Sequence, residues 1–254
     1  MKLLLWQLRY EQKSYWRNPA SAFFTFAFPL IFLVIFASLN NGATVDILGG
    51  LDYNQYYIPA IIAFGIMSAT YTQLAITLSL RRQSGVLKRA RTTPLPAWAV
   101  LGGVLLNSAV VAVLITMLTT ALGMLAYGVT FPGHYAALAL ALVIGAVTFS
   151  ALGVMVSTFV PNADAAPAVV NAVFFPVLFL SGTFFPVNPD STVAHIADLF
   201  PIRHFNLAVF AAFDPRVAPG VRHGFGWSHL AVMGIWGVVT GAIAVRRFRW
   251  EPNR

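Results

Sequence analysis

The chain has 254 residues, 58% of them hydrophobic and 9% charged, with a mean hydropathy of +0.75. A soluble domain carries about 25% charged residues, and a chain this apolar cannot cover its own surface with polar groups, so a water-soluble globular fold is excluded. The net charge of +8 comes from short basic clusters between long apolar runs, a spacing that suits membrane topology better than nucleic-acid binding. Cysteine is absent, which removes disulfides, thiol nucleophiles and Cys-ligated metals.

In chain order, residues Met1–Asn18 read as an amphipathic helix ending before Pro19. Leu4, Leu5, Leu8, Tyr15 and Trp16 share one arc, and Lys2, Arg9, Lys13 and Arg17 share another. Such a helix lies in the membrane interface, either as a plain anchor or as an elbow that also touches a cytoplasmic partner. The first apolar run follows and is about 20 residues long, enough to span. It ends in Ser38-Leu39-Asn40-Asn41-Gly42, a poor cleavage site, and so reads as a retained span rather than a signal peptide.

Six spans are expected, at roughly residues 20–39, 56–80, 97–127, 135–160, 166–185 and 227–245. Pro29 and Pro176 fall inside two of them and are expected to kink them. Thirteen of the 16 basic residues fall in the N-terminal segment, the connection after span two and the C-terminal tail, all on one side if there are six spans. Asp46, Asp52, Asp190, Asp198 and Asp214 fall on the other. Basic flanks favour the cytoplasm, so both termini are expected there.

The connection Arg81–Pro96, RRQSGVLKRARTTPLP, carries Arg81, Arg82, Lys88, Arg89 and Arg91 and no acid. Gly85 permits a break, and Val86 and Leu87 add an apolar pair that a segment needed only for charge would not require. The segment 186–226 lies on the opposite side, with helix-like runs near 192–200 and 202–213 that are too short to cross. They suit a re-entrant or interfacial hairpin.

These features together resemble the type-two ATP-binding-cassette (ABC) exporter permeases of bacteria: an interfacial helix, six spans, a basic RRxxGxLKRxRxTPLP connection after span two, and SGxFFPxNP at the end of span five. The resemblance covers essentially the whole chain. It implies an all-α integral membrane domain over residues 1–254, with an external re-entrant helical hairpin before the last span, in the bacterial inner membrane. By the same resemblance, the stretch from Arg81 to Pro94 would be a coupling helix docking into a separate ATPase through Arg81, Arg82, Gly85, Val86, Leu87, Lys88, Arg89 and Arg91. The segment after Gly182 would cap the transport path. Two ATPase copies would hold ATP and Mg, and a second permease subunit, identical or a sister chain, would complete the complex.

The residues themselves fit a passenger of an external motor. No GxxxxGK[ST] phosphate loop is present, so this chain is expected to bind no cofactor of its own. The spans hold almost no ionisable residue; an ion-coupled carrier would place one mid-membrane despite its cost. An apolar or amphipathic cargo follows: a drug, lipid or glycolipid. Phe24, Phe28, Phe32 and Phe36 recur every four residues in span one, and Asn171, Phe175 and Phe179 do so in span five. They are either packing or lipid-facing aromatics or a cargo-lining stripe. Gly237 and Gly241 form a GxxxG pair for close helix approach. His195, Asp198 and His204 match no metal-ligand spacing. A membrane-embedded lipid-modifying enzyme and a structural subunit of a membrane complex are the competing classes; the first would need polar catalytic groups beside the spans.

Overall fold

The computed structural model describes residues 2–92, 95–130, 133–216 and 225–248. The chain is an all-α integral membrane protein. Helix α1 (Lys2–Trp16) precedes α2 (Pro19–Leu39), which starts on a proline, where the missing N–H costs no helical bond. A two-stranded hairpin, β1 (Thr44–Val45) and β2 (Leu51–Asp52), leads into α3 (Tyr53–Met67). The Asp52 carboxylate caps α3 by accepting from the N–H groups of Asn54 and Gln55 at 2.9 and 3.2 Å. The helix therefore begins three residues before the expected span.

Helix α3 runs without a break through one π turn (Ser68–Thr72) into α4 (Gln73–Gln83). The Gln73 N–H donates to the Ser68 carbonyl five residues back, which marks one extra residue inserted into the helix. Tyr71, fully buried on this turn, donates its hydroxyl to the Val170 carbonyl at 3.1 Å. This central span is the most buried in the molecule. Beyond it come α5 (Val86–Arg91), α6 (Ala97–Tyr127), α7 (Tyr135–Ser157), α8 (Ala166–Leu180), α9 (Thr192–Ala197), α10 (Pro201–Phe213) and α11 (Trp227–Arg247).

Among the described residues, five helices are long and apolar enough to cross a membrane, with α8 as a shorter apolar helix of 15 residues. The expected fifth span, 166–185, thus loses its last turn. At Gly182 the backbone turns left-handed (φ +83°), and 181–184 continue as buried, non-helical chain. Such backbone survives at depth only when protein satisfies it. The Tyr56 hydroxyl donates to the Gly182 carbonyl, Asn206 of α10 donates to the Ser181 carbonyl and the Thr183 hydroxyl, and Tyr53 donates to the Phe184 carbonyl. α10 packs against α3, α7 and α11 and is largely buried, so this arm of the hairpin sits within the bundle, whereas α9 leaves Val193 and Ile196 exposed.

α11 packs most extensively against α7. A Cβ on Gly237 would stand 3.0 Å from Thr148 Oγ1, and Thr148 donates to the Met233 carbonyl at 3.0 Å; of the GxxxG pair, Gly237 sits in a tight internal seam, whereas a Cβ on Gly241 would meet only Ala151, at 3.9 Å. A closer approach occurs at Gly153 of α7, where a Cβ would meet the Tyr71 carbonyl oxygen at 2.8 Å. Gly153→Val is expected to cost about 1–3 kcal/mol through overpacking, read as an earlier midpoint in a detergent unfolding titration. An unchanged midpoint would show that α7 and the π turn are not held at this separation.

Candidate coupling site at the basic end of the bundle

Three consecutive residues at the end of α4 each bond to a different element. The Arg81 guanidinium donates to both carboxylate oxygens of Glu11 on α1, at 2.8 and 2.5 Å. Gln7 adds a third bond to the same carboxylate at 3.1 Å. Glu11 is only 3% exposed, so this is a bidentate ion pair largely out of water. Arg82, also buried, donates to the carbonyls of Ser157 and Val160 at 3.0 and 2.5 Å. These oxygens lie at and just beyond the C-terminus of α7, where helical carbonyls lack partners and a cation suits the dipole. The Gln83 side-chain oxygen accepts from the backbone N–H of Ala163, in the connection to α8.

Gly85, left-handed at φ +68°, then stops the helix, as expected of a residue without Cβ. The chain restarts as α5, whose first bond runs from the Arg89 N–H to the Gly85 carbonyl at 3.0 Å. α5 packs against α4 and α6. Leu87 is 1% exposed and Val86 41%, with Lys88 and Arg89 exposed.

The expected docking surface is therefore divided. Arg81, Arg82 and Leu87 turn inward and tie the segment to the bundle, whereas Val86, Lys88 and Arg89 are presented outward. Arg81 and Arg82 belong to the end of the spanning helix rather than to a separate coupling segment. The side chain of Arg91 and residues Thr93 and Pro94 lie outside the described residues.

Glu11 is the residue that sequence reasoning missed. The signal was there: it is the only acid before Asp46, at helical spacing with Leu4, Leu8 and Tyr15. That spacing is the face turned toward the bundle, and it differs from the expected arc. Tyr15 is buried and Leu4 and Leu8 are half-buried, but Leu5 and Trp16 are exposed. The Trp16 ring instead stacks on Phe26, 5.7 Å between centroids. α1 lies against α6, where Leu4 meets Gly102 and Gln7 meets Gly103.

The two aromatic stripes converge on a residue assigned to neither. Phe184 stands 5.3 Å from Phe32, 5.7 Å from Phe36 and 5.2 Å from Phe179, ring centre to ring centre. Phe28 contacts Phe32 at 5.0 Å, and Phe175 contacts Phe174 at 5.4 Å. Phe24, Phe28, Phe175 and Phe179 are exposed and Asn171 is half-buried. Phe24 pairs with Phe23 rather than with the cluster. On the opposite end, His204 meets His229, Nδ1 to Nδ1 at 2.9 Å, while His195 is exposed and contacts the Ser191 carbonyl. His204 Nε2 also meets the Asp198 backbone carbonyl at 2.8 Å, while the Asp198 carboxylate accepts from Arg203 at 2.6 Å, so the side chains of His195, Asp198 and His204 do not converge. His223 lies outside the described residues.

Two curated relatives from Escherichia coli K12 align with the chain. One is "Probable multidrug ABC transporter permease YbhR", 27% identical over 160 residues, covering 61% of this chain and 42% of that protein. The other is "Inner membrane transport permease YadH", 24% identical over 159 residues, covering 62% of this chain and 61% of that protein. The chain thus matches less than two thirds of each relative's length. The family model described as ABC-2 type transporter matches residues 2–213, from α1 through α10, and the chain belongs to that family.

Proposed function

We propose that the chain is the membrane-spanning permease subunit of an ATP-driven ABC exporter that moves an apolar or amphipathic substrate outward. A separate cytoplasmic ABC ATPase, in two copies carrying ATP and Mg, powers it. A second permease subunit, identical or sister, completes the complex in the bacterial inner membrane, with both termini cytoplasmic. α8 then serves as the sixth crossing, completed by the buried chain after it.

The observation that carries this reading is the branched connection at Arg81, Arg82 and Gln83. A push on the exposed face of α5 passes through Leu87 and the end of α4 into α1, α7 and the approach to α8. A loop serving only as a topology signal needs no such anchoring. The names of the two relatives, a multidrug permease and an inner-membrane transport permease, support the same class. The aromatic faces of α2 and α8, meeting at Phe184, are the proposed cargo path.

The experiment is ATPase turnover of the reconstituted permease–ATPase complex, with a lipophilic dye and a short-chain fluorescent phospholipid as cargo probes. Val86→Asp combined with Lys88→Glu and Arg89→Glu is expected to reduce probe-stimulated turnover to the basal rate. Insertion and folding are preserved, because these side chains are exposed. Stimulation that survives the triple variant would overturn the assignment of α5 as the coupling contact.

A further inference from the structure

A lateral groove runs between α6 and α7. Its main part encloses about 380 Å³ among residues 101–109 of α6, 146–154 of α7, 241–245 of α11 and Leu74 and Leu78 of α4, and every lining side chain but Ser150 is apolar. A smaller part of about 150 Å³ continues it past Ala109 and Ala146 to Thr116 and Leu142. The cause is in the sequence: Ala109, Ala146, Ala151 and Gly241 face one another, so the helices leave a channel that larger side chains would have filled. Leu105, Val147 and Val245, on the rim, are exposed.

From Leu101 to Thr116 the groove spans fifteen residue steps of α6, about 22 Å at 1.5 Å per residue, so an acyl chain reaching the ~15 Å depth of one leaflet's hydrocarbon lies along it over its whole length. Left empty, the groove would forfeit the contacts of its whole lining, and lipid tails are the available filler.

Charge selects the headgroup. Arg246 and Arg247 follow directly on Val245, at the end of the groove, and are exposed. The Arg247 guanidinium lies 5.3 Å over the Phe159 ring at the end of α7, a stacking contact that leaves its edge donors free. Of the acids at this end, Glu11 is already paired with Arg81, and Asp164 is exposed in the connection between α7 and α8. We propose that the groove holds one resident bilayer phospholipid with an anionic headgroup, its acyl chain along α6 and α7 and its phosphate at Arg246 and Arg247. This lipid is a fixed component and not the cargo, and its presence does not depend on the ATPase.

The test places the full chain in phosphatidylcholine vesicles with trace spin-labelled phosphatidylglycerol or spin-labelled phosphatidylcholine, and reads the motionally restricted fraction. Phosphatidylglycerol is expected to be favoured by roughly fivefold for each arginine engaged, and Arg246→Gln with Arg247→Gln should bring the two lipids near parity. Val147→Trp, and separately Leu105→Phe, fill the groove from its exposed rim, where folding tolerates bulk; each should remove about one restricted lipid per chain, for both headgroups. Equal retention of the two lipids by the wild-type chain overturns the proposal, as does a preference that survives the arginine variant or a restricted fraction that survives both groove-filling variants. Because the chain has no cysteine, Val147→Cys gives a further check: efficient disulfide cross-linking to a second copy would make the occupant protein and sink the lipid assignment.

Discussion

Glu11→Ala is expected to cost about 3–5 kcal/mol, because removing one partner of a buried ion pair leaves the other charge uncompensated. Arg81 would keep its guanidinium at a site where Gln7 can offer only a neutral amide oxygen in place of the carboxylate. Arg81→Ala should cost a similar amount for the mirror reason, stranding a carboxylate that is 3% exposed. The double variant removes both charges and should cost far less than the two single losses added together. Arg81→Lys should recover only part of the loss, since an ammonium cannot make two parallel bonds to one carboxylate. Unfolding titrations of the four variants check this, and additive losses in the cycle would show that the two side chains act independently. In the reconstituted complex the single variants should also lose probe-stimulated ATPase turnover, although the outward face of α5 is intact.

Phe184→Ala is the second large effect, about 3 kcal/mol, at the low end of values for buried phenylalanine. The low end applies because lipid tails are as apolar as the bundle interior, so the loss comes from packing and the cavity rather than from transfer out of water. Phe184 is 4% exposed and joins rings of α2, α3 and α8. Its removal should loosen α8 first, since that helix is short and continues into non-helical chain. Proteolysis near 181–186 would then rise before global unfolding. Phe184→Leu should keep most of the stability, and equal losses for Leu and Ala would mean that ring geometry, not filled volume, holds this junction.

Much of the architecture was legible because lipid imposes a simple rule on composition. Long apolar runs have only one use in a chain with so few charges, and α2, α6, α7 and α11 lie where the runs are. The start of α3 moved because Asp52 caps it by accepting from Asn54 and Gln55, a local bond that an apolar run does not register. The end of α8 moved because Gly182 takes a left-handed turn that hydropathy does not register. The basic connection was legible as a cluster, but not the direction of each side chain. Arg82 and Lys88 look alike in sequence, yet one meets the orphan carbonyls of α7 and the other meets solvent. Leu87 and Val86 divide in the same way, according to which side of one helical turn faces α4 and α6. The Glu11–Arg81 pair spans seventy residues, a separation at which no periodicity argument operates.

The π turn at Ser68–Thr72 carries a consequence for everything downstream of it. One surplus residue advances the helix by about 100° relative to an uninterrupted α-helix, so it works as a key that sets the angular registry of α4. Deleting a single residue there would leave the span's length and hydropathy almost untouched. It would swing Arg81 off Glu11, Arg82 off the end of α7 and Gln83 off Ala163 together. The aim of the basic end is thus encoded about ten residues away, in a stretch that carries no charge at all.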